Sequence, residues 1–281
     1  MFSVVRVGRR LGQHFLNDPG ILDRIVDALE PTPDDVVIEI GPGKGSLTRR
    51  LAPRVARVVA IEKDERLAEE LGTRNAERGS DDAGSNVQVV TGDALDLDWL
   101  GLVRSAFRVP TSAFKVVGNI PYQITSPLIE KALTPPLPAV IVMLVQREVA
   151  DRLAAAPGSD EYGGLTVGVQ AVAAVERLFV VKAGAFAPPP KVDSAVVRFV
   201  PLAEPLVSEA ERIGFRAFVT GLFSQRRKQM VRSLRAVAGL SKDGAAQVLA
   251  QTGIPGAARV EVLAPAQLVA LFRASQASHT L

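Results

Sequence analysis

The chain of 281 residues has no cysteine, two histidines, one tryptophan and an aromatic share of only 5%. Without cysteine there is neither a disulfide nor a thiolate nucleophile, and His14 and His279 alone cannot build an all-histidine metal centre, so no metal is expected. Also missing is any run of the roughly 18 to 20 apolar residues that a membrane span requires. The opening MFSVVRVGRR lacks the long apolar region and small-residue cleavage site of a secretory leader, so a cytoplasmic protein without a membrane partner is expected. Nor is there an excess of one charge: 33 basic residues against 30 acidic ones leave a net charge of +3. What the chain does have is 47% hydrophobic residues, enough for one large domain or a large one with a small companion.

With the total charge nearly balanced, the placement of the basic residues carries the information. They gather at the N-terminus (Arg6, Arg9, Arg10) and in FSQRRKQMVRSLR, which holds Arg226, Arg227, Lys228, Arg232 and Arg235. Such clusters are solvated helix faces or the electrostatic footprint of a nucleic-acid binder, and by themselves they do not separate the two.

From Val36 onward, short Val/Ile-rich runs alternate with amphipathic stretches, the pattern of a doubly wound α/β sheet covered on both faces. The expected strands are DVVIEI, RVVAIE, NVQVV, FKVVGN and PAVIVMLV. The expected helices are LTRRLAPRV, ERLAEELGTRNAERG and SPLIEKAL, the last with Ser126 as N-cap and Pro127 in its first turn. A glycine-rich loop, AAAPGSDEYGG, is followed by LTVGVQAVAAVERLFVV and SAVVRFV, both expected as strands that close the sheet as a hairpin. Between them, the three prolines of FAPPPKVDS cannot join a ladder. Beyond Glu204 the chain turns helical and basic, which divides it into residues 1–204 and a small helical domain, 205–281.

Three signals fall at successive strand ends. Gly41-Pro42-Gly43-Lys44-Gly45 lies at a strand-to-helix turn, where backbone N–H groups approach a ligand closely. Its spacing departs from G-x-G-x-x-G and it lacks the Lys-Ser/Thr pair of a P-loop, which argues against pyrophosphate. Glu62 ends the next strand, placed to accept from ribose hydroxyls. Asp93 follows the one after, placed to accept from an adenine amino group, with the backbone N–H of Ala94 offered to a ring nitrogen. Singly, each signal is a tight turn or a solvated charge. Together, on the carboxyl edge of a parallel sheet, they suggest an adenosine ligand without pyrophosphate, namely S-adenosylmethionine.

These residues, with LGQHFLND, VGNIPYQITSPLI, PGSDEYGGLTVGVQ, FAPPPKVDSAVVRF and FSQRRKQMVRSLR, closely resemble the ribosomal RNA adenine dimethyltransferases, in particular their bacterial small-subunit (16S) branch. The resemblance runs over nearly the whole chain. It implies a Rossmann-like class I methyltransferase sheet with a small C-terminal helical domain, and a cofactor site to which residues 1–20 contribute. S-adenosylmethionine would be held by His14, Leu16, Gly41, Gly43, Glu62, Asp93, Ala94 and Asn119. The substrate it implies is 16S ribosomal RNA in the immature small subunit, dimethylated at N6 of two adjacent adenosines in a hairpin loop near the 3' end. It further implies that Phe186 and Tyr122 stack on the target base, and that Arg226, Arg227, Lys228 and Arg232 contact RNA; a monomer is expected. Two departures stand out: His14 occupies a position commonly Asn, and the loop 157–167 carries Asp160, Glu161 and Gly164 where relatives often have basic residues.

The box Asn119-Ile120-Pro121-Tyr122 suits a reaction whose donor is already activated. An adenine amino group is a poor nucleophile because its lone pair is delocalised into the ring. If the Asn119 side-chain oxygen and the Ile120 carbonyl accept its two N–H bonds, the lone pair turns toward the methyl. Pro121 fixes the backbone and Tyr122 offers a face for the flipped base. Two other readings fit parts of the chain: the macrolide-resistance type, which methylates large-subunit (23S) RNA, and a non-catalytic assembly or nucleic-acid-binding factor.

Overall fold

The Val/Ile runs fold as strands. The computed structural model describes residues 14–77, 86–106 and 114–278; Leu11 to Gln13, Arg6, Arg9, Arg10 and His279 lie outside the described residues. In chain order the elements are β1 (Phe15–Leu16), α1 (Pro19–Ala28), β2 (Val36–Ile40), α2 (Thr48–Leu51), β3 (Arg57–Glu62), α3 (Glu65–Glu77), β4 (Val87–Thr91), α4 (Trp99–Ala106), β5 (Phe114–Asn119), α5 (Thr125–Ala132), β6 (Ile141–Gln146), α6 (Arg147–Leu153), α7 (Gly164–Gln170), β7 (Ala173–Val181), β8 (Phe186–Ala187), β9 (Ser194–Pro201), α8 (Glu209–Ser224), α9 (Met230–Ala238), α10 (Lys242–Gln251) and α11 (Pro265–Ala277). The main sheet has seven strands in the order β4-β3-β2-β5-β6-β9-β7, and β1 pairs with β8 in a separate two-stranded ribbon.

Strands β4, β3, β2 and β5 are parallel neighbours, so their carboxyl ends line up on one edge. Val37, Ile38, Val58, Val59, Val116 and Val117 are fully buried. Successive residues of a strand point to opposite faces, so burial of both kinds requires cover on both sides of the sheet. Each such side chain taken from water contributes about 1.5–3 kcal/mol. Helix α1 starts where the Asp18 carboxylate accepts the Ile21 N–H at 2.9 Å and Pro19 presets the first turn. Its Leu22, Ile25 and Val26 face the core.

The described chain forms two compact units interleaved along the sequence. The first takes residues 14–128, 142–146 and 179–196; the second takes 129–141, 147–178 and 197–278. Strands β7 and β9 run from one unit into the other, so the cut expected at Glu204, between consecutive stretches, differs from this division. In the second unit, α8 buries Phe215, Phe218, Val219 and Leu222, the i, i+3, i+4, i+7 stripe of an amphipathic helix. Phe215 and Phe218 pack against the ring of Phe272 at 5.7 and 5.5 Å between centroids. Tyr162 is buried there and donates its hydroxyl proton to the Leu263 carbonyl at 2.8 Å.

Two local expectations need correction. LTVGVQ, expected as strand, is helix α7, and only from Ala173 does the chain extend. The β-branched residues that suggested a strand here lie on a helix that buries Thr166, Val167 and Val169, with Thr166 donating to the Arg152 carbonyl at 2.5 Å. Ser126 is not an N-cap: a single 3-10 turn, Tyr122–Ile124, leads straight into α5 at Thr125 and places Ser126 inside the helix.

At the carboxyl ends of β2 and β5, Gly118 sits opposite Ile40. A Cβ on Gly118 would come 2.6 Å from the Ile40 carbonyl oxygen and 2.8 Å from the Ile120 side chain. Backbone cannot yield as a side-chain tip can. Gly118→Ala is therefore expected to destabilise the fold by about 1–3 kcal/mol, the usual range for overpacking, measured as a lowered urea midpoint at unchanged m-value.

Candidate active site

All groups of the cleft belong to the first unit and stand at its carboxyl edge. An open cleft of about 790 Å³, mouth included, is lined by β1, the glycine turn after β2, Glu62 at the end of β3, and Asn119 to Tyr122 after β5. Gly43 adopts φ +54°, a left-handed conformation, and a Cβ there would stand 2.9 Å from the Phe15 ring. Only glycine lets the turn lie this close to β1.

Glu62 is 5% exposed, yet both of its oxygens are engaged: Oε2 accepts the Gly43 N–H at 2.9 Å and Oε1 the Asp64 N–H at 3.0 Å. The carboxylate thus ties the glycine turn to the end of β3. Each oxygen has a second lone pair, so capacity to accept from a ligand remains.

Asn119 reaches across to β1 and donates through Nδ2 to the His14 carbonyl at 2.9 Å. A carbonyl only accepts, so the amide is oriented without ambiguity and Oδ1 is the atom left over. Among the described residues, nothing donates to Oδ1. The His14 ring is fixed in turn: Nδ1 lies 2.8 Å from the Pro188 carbonyl and must carry the proton of that bond. The His14 and Tyr122 rings are stacked, with centroids 6.2 Å apart and planes inclined at 28°, and the Tyr122 hydroxyl is 2.9 Å from Ser194 Oγ.

The residues expected from sequence fall into two groups. His14, Leu16, Gly41, Gly43, Glu62, Asn119, Ile120, Pro121 and Tyr122 all line the cleft. Asp93, Ala94 and Phe186 do not. Asp93 accepts from Lys63 Nζ at 2.6 Å and from the Leu95 N–H at 2.9 Å, and the Ala94 carbonyl accepts from Trp99 Nε1 at 2.9 Å. Phe186 is buried on β8, which pairs Leu16 with Phe186 and so holds β1 in place.

The basic cluster of the second unit also divides. Arg226 is committed within the protein, with Nε on Glu261 at 2.5 Å and its other nitrogens on the carbonyls of Asp160 and Ser159. Arg227, Lys228 and Arg232 are exposed, and their side chains make no hydrogen bond or ion pair among the described residues. The acidic loop 157–167 is thus a partner of Arg226.

Of the cleft residues that escaped the sequence expectations, one is a buried acid. Glu39 is 1% exposed, lines the cleft, and its Oε2 has no hydrogen-bond partner among the described residues. The signal was present as the lone acid inside the apolar strand VVIEI. Burial pushes its carboxyl up to about 7, an effect that Thr48 only partly offsets and the Glu62 charge adds to.

An open α/β sheet whose carboxyl edge carries a glycine turn, a buried acid and an oriented amide has the architecture of the class I methyltransferases. The family model for ribosomal RNA adenine dimethylase matches residues 5–276. The chain belongs to that family. It is 42% identical to "Ribosomal RNA small subunit methyltransferase A" of Geobacter metallireducens over 275 residues, 97% of each chain. It is likewise 42% identical to the protein of that name from Phenylobacterium zucineum, over 94% of this chain and 86% of the other. Among solved structures, a dimethyladenosine transferase from Plasmodium falciparum superposes with a TM-score of 0.81 at 28% identity, covering 95% of this chain and 98% of that one. The 23S rRNA methyltransferase ErmE matches at 0.69 and 31%, covering 93% and 99%.

The buried Glu39 makes stability depend on pH. Unfolded, the carboxyl releases its proton near 4.5; folded, near 7. Between these values the folded state holds a proton that the unfolded state has lost, so stability is greatest below the window and falls as pH rises through it. The change is at most roughly 3 kcal/mol. Urea unfolding of wild type and Glu39→Gln at pH 5 and pH 8 should show the variant gaining on the wild type at the higher pH.

Proposed function

We propose that the chain transfers methyl groups from S-adenosylmethionine to the N6 atoms of two adjacent adenosines in a hairpin loop near the 3' end of small-subunit (16S) ribosomal RNA, during assembly of that subunit. The observation that carries this is the orientation of Asn119. Its Nδ2 is taken by the His14 carbonyl, so Oδ1 is presented as an acceptor, the polarity needed to take an N–H from an adenine amino group.

The cleft suits the cofactor chemically. Glu62 has acceptor capacity for ribose hydroxyls, and the unpartnered Oε2 of buried Glu39 calls for a ligand hydrogen bond. When bound, S-adenosylmethionine supplies a sulfonium-activated methyl group. Asn119 and the Ile120 carbonyl hold the amino group by its protons and turn its lone pair outward. Tyr122 stacks on the extruded base, which offsets the few kcal/mol that unstacking costs. No side chain has to act as a strong base before transfer: once the methyl has moved, the cationic amine releases its extra proton to water, and S-adenosylhomocysteine is the other product. Asp93 and Ala94 at the adenine, and Phe186 as a second aromatic wall, remain parts of the proposal; the engagement of Asp93 by Lys63 has to be exchanged for that role.

Support for the small-subunit substrate comes from the relatives of that name at 42% identity over nearly full length. The match to the large-subunit enzyme is weaker, at 31% identity and a TM-score of 0.69. RNA contact is assigned to Arg227, Lys228 and Arg232, while Arg226 acts mainly within the protein by holding Glu261 and the loop. The protein is proposed to act as a monomer in the cytoplasm.

Incubation with labelled cofactor and, separately, undermethylated small subunits, large subunits and naked RNA should give dimethyladenosine on the small subunit alone; product only on the large subunit would favour the other enzyme. Asn119→Ala should lower transfer at least a hundredfold, the scale of an oriented polar group lost from a reacting centre, with RNA affinity nearly unchanged. Replacing Arg227, Lys228 and Arg232 together by alanine should reduce the slope of log K against log salt by roughly 2 to 3.

A further inference from the structure

Ser194, the first residue of β9, is fully buried, and its hydroxyl lies 2.9 Å from that of Tyr122. A buried hydroxyl needs a partner, and the Tyr122 hydroxyl satisfies that need at the wall of the cleft. The preceding residue faces the other way along the strap: Asp193 accepts from the Ala183 N–H at 3.1 Å and from Lys182 Nζ at 2.9 Å, at the start of the segment that leads to Phe186. Pro188, midway, offers its carbonyl to His14, whose ring stacks with Tyr122. The stretch from Lys182 to Ser194 therefore fastens the Tyr122 ring twice. It acts once through the hydroxyl and once through the histidine beside it.

We propose that Ser194 is a positioning residue for the methyl transfer, holding Tyr122 in the rotamer in which its free face receives the target base. The proposal rests on the reading of Tyr122 as the stacking wall. A tyrosine side chain turns about two bonds, and a wall used to place a reacting amine gains its effect only when it is set before the base arrives. The His14 ring limits motion on one side. The bond to Ser194 fixes the far end of the lever, where a small rotation moves the ring most. In the sequence this serine closes FAPPPKVDS, and neither its spacing nor its neighbours pair it with a tyrosine 72 residues earlier.

The test is a double-mutant cycle on the full chain with undermethylated small subunits, read as the single-turnover rate of transfer at saturating subunit and cofactor. Affinity for S-adenosylhomocysteine is measured by calorimetry on the same preparations. Ser194→Ala and Tyr122→Phe are each expected to slow transfer roughly tenfold, the scale of one positioning hydrogen bond, with affinity for S-adenosylhomocysteine within about twofold of wild type. The double variant is expected to be no slower than either single one, because both remove the same bond. A wild-type rate in Ser194→Ala, the same fractional loss in the Tyr122→Phe background, or a parallel loss of cofactor affinity would each overturn the proposal. Tyr122→Ala separates the two levels: if it transfers at the wild-type rate, the stacking role itself fails, whereas a crippled Tyr122→Ala beside an unimpaired Ser194→Ala sinks only the role of the serine.

Discussion

The parallel pairing of β5 with β2 governs where the groups of the cleft stand. Gly118 is opposite Ile40, and the next residues are Gly41, where the glycine turn begins, and Asn119, the last residue of β5. Because the two strands are parallel neighbours, the glycine turn and the Asn119–Tyr122 box leave the same edge side by side. The N–H of Ile120 then bonds to the Leu144 carbonyl at 3.1 Å, which pins the box to β6. The sheet thereby sets the glycine turn and the Asn119 amide one strand apart.

Much of the fold was legible because the strands of a doubly wound sheet are buried on both faces and read as unbroken Val and Ile. The same cue misled at LTVGVQ, where β-branched residues line the buried side of a helix instead of a strand. The lining of the cleft was legible wherever it follows from a place at a strand end, as with Gly41, Glu62 and Asn119. It was not legible where a role depends on a partner remote in sequence. Asp93 meets Lys63 at the neighbouring strand end, Arg226 meets Glu261 and the carbonyls of an acidic loop, and His14 meets Pro188 from 174 residues away. Periodicity reports burial and turn chemistry, and neither encodes which side chain a charge will find.

The cleft carries side chains of both charge types. Glu62 lines the cleft with both oxygens engaged by backbone N–H groups. Glu39, on the neighbouring strand, is held near neutrality by burial, with the Glu62 charge adding to the effect. Lys44 leans over the Phe15 ring at 4.9 Å and adds a positive charge at the same mouth.

The dependence of Asn119 on His14, and of His14 on Pro188, has a consequence for the order in which the site comes into being. The amide is oriented by a residue 105 positions earlier, which is steadied by one 174 positions later than itself. During synthesis the sheet edge, the glycine turn and Glu62 emerge first, and the last fastening appears only with the proline strap and Ser194. A growing chain therefore fastens the His14 and Tyr122 side of the cleft after the glycine turn and Glu62.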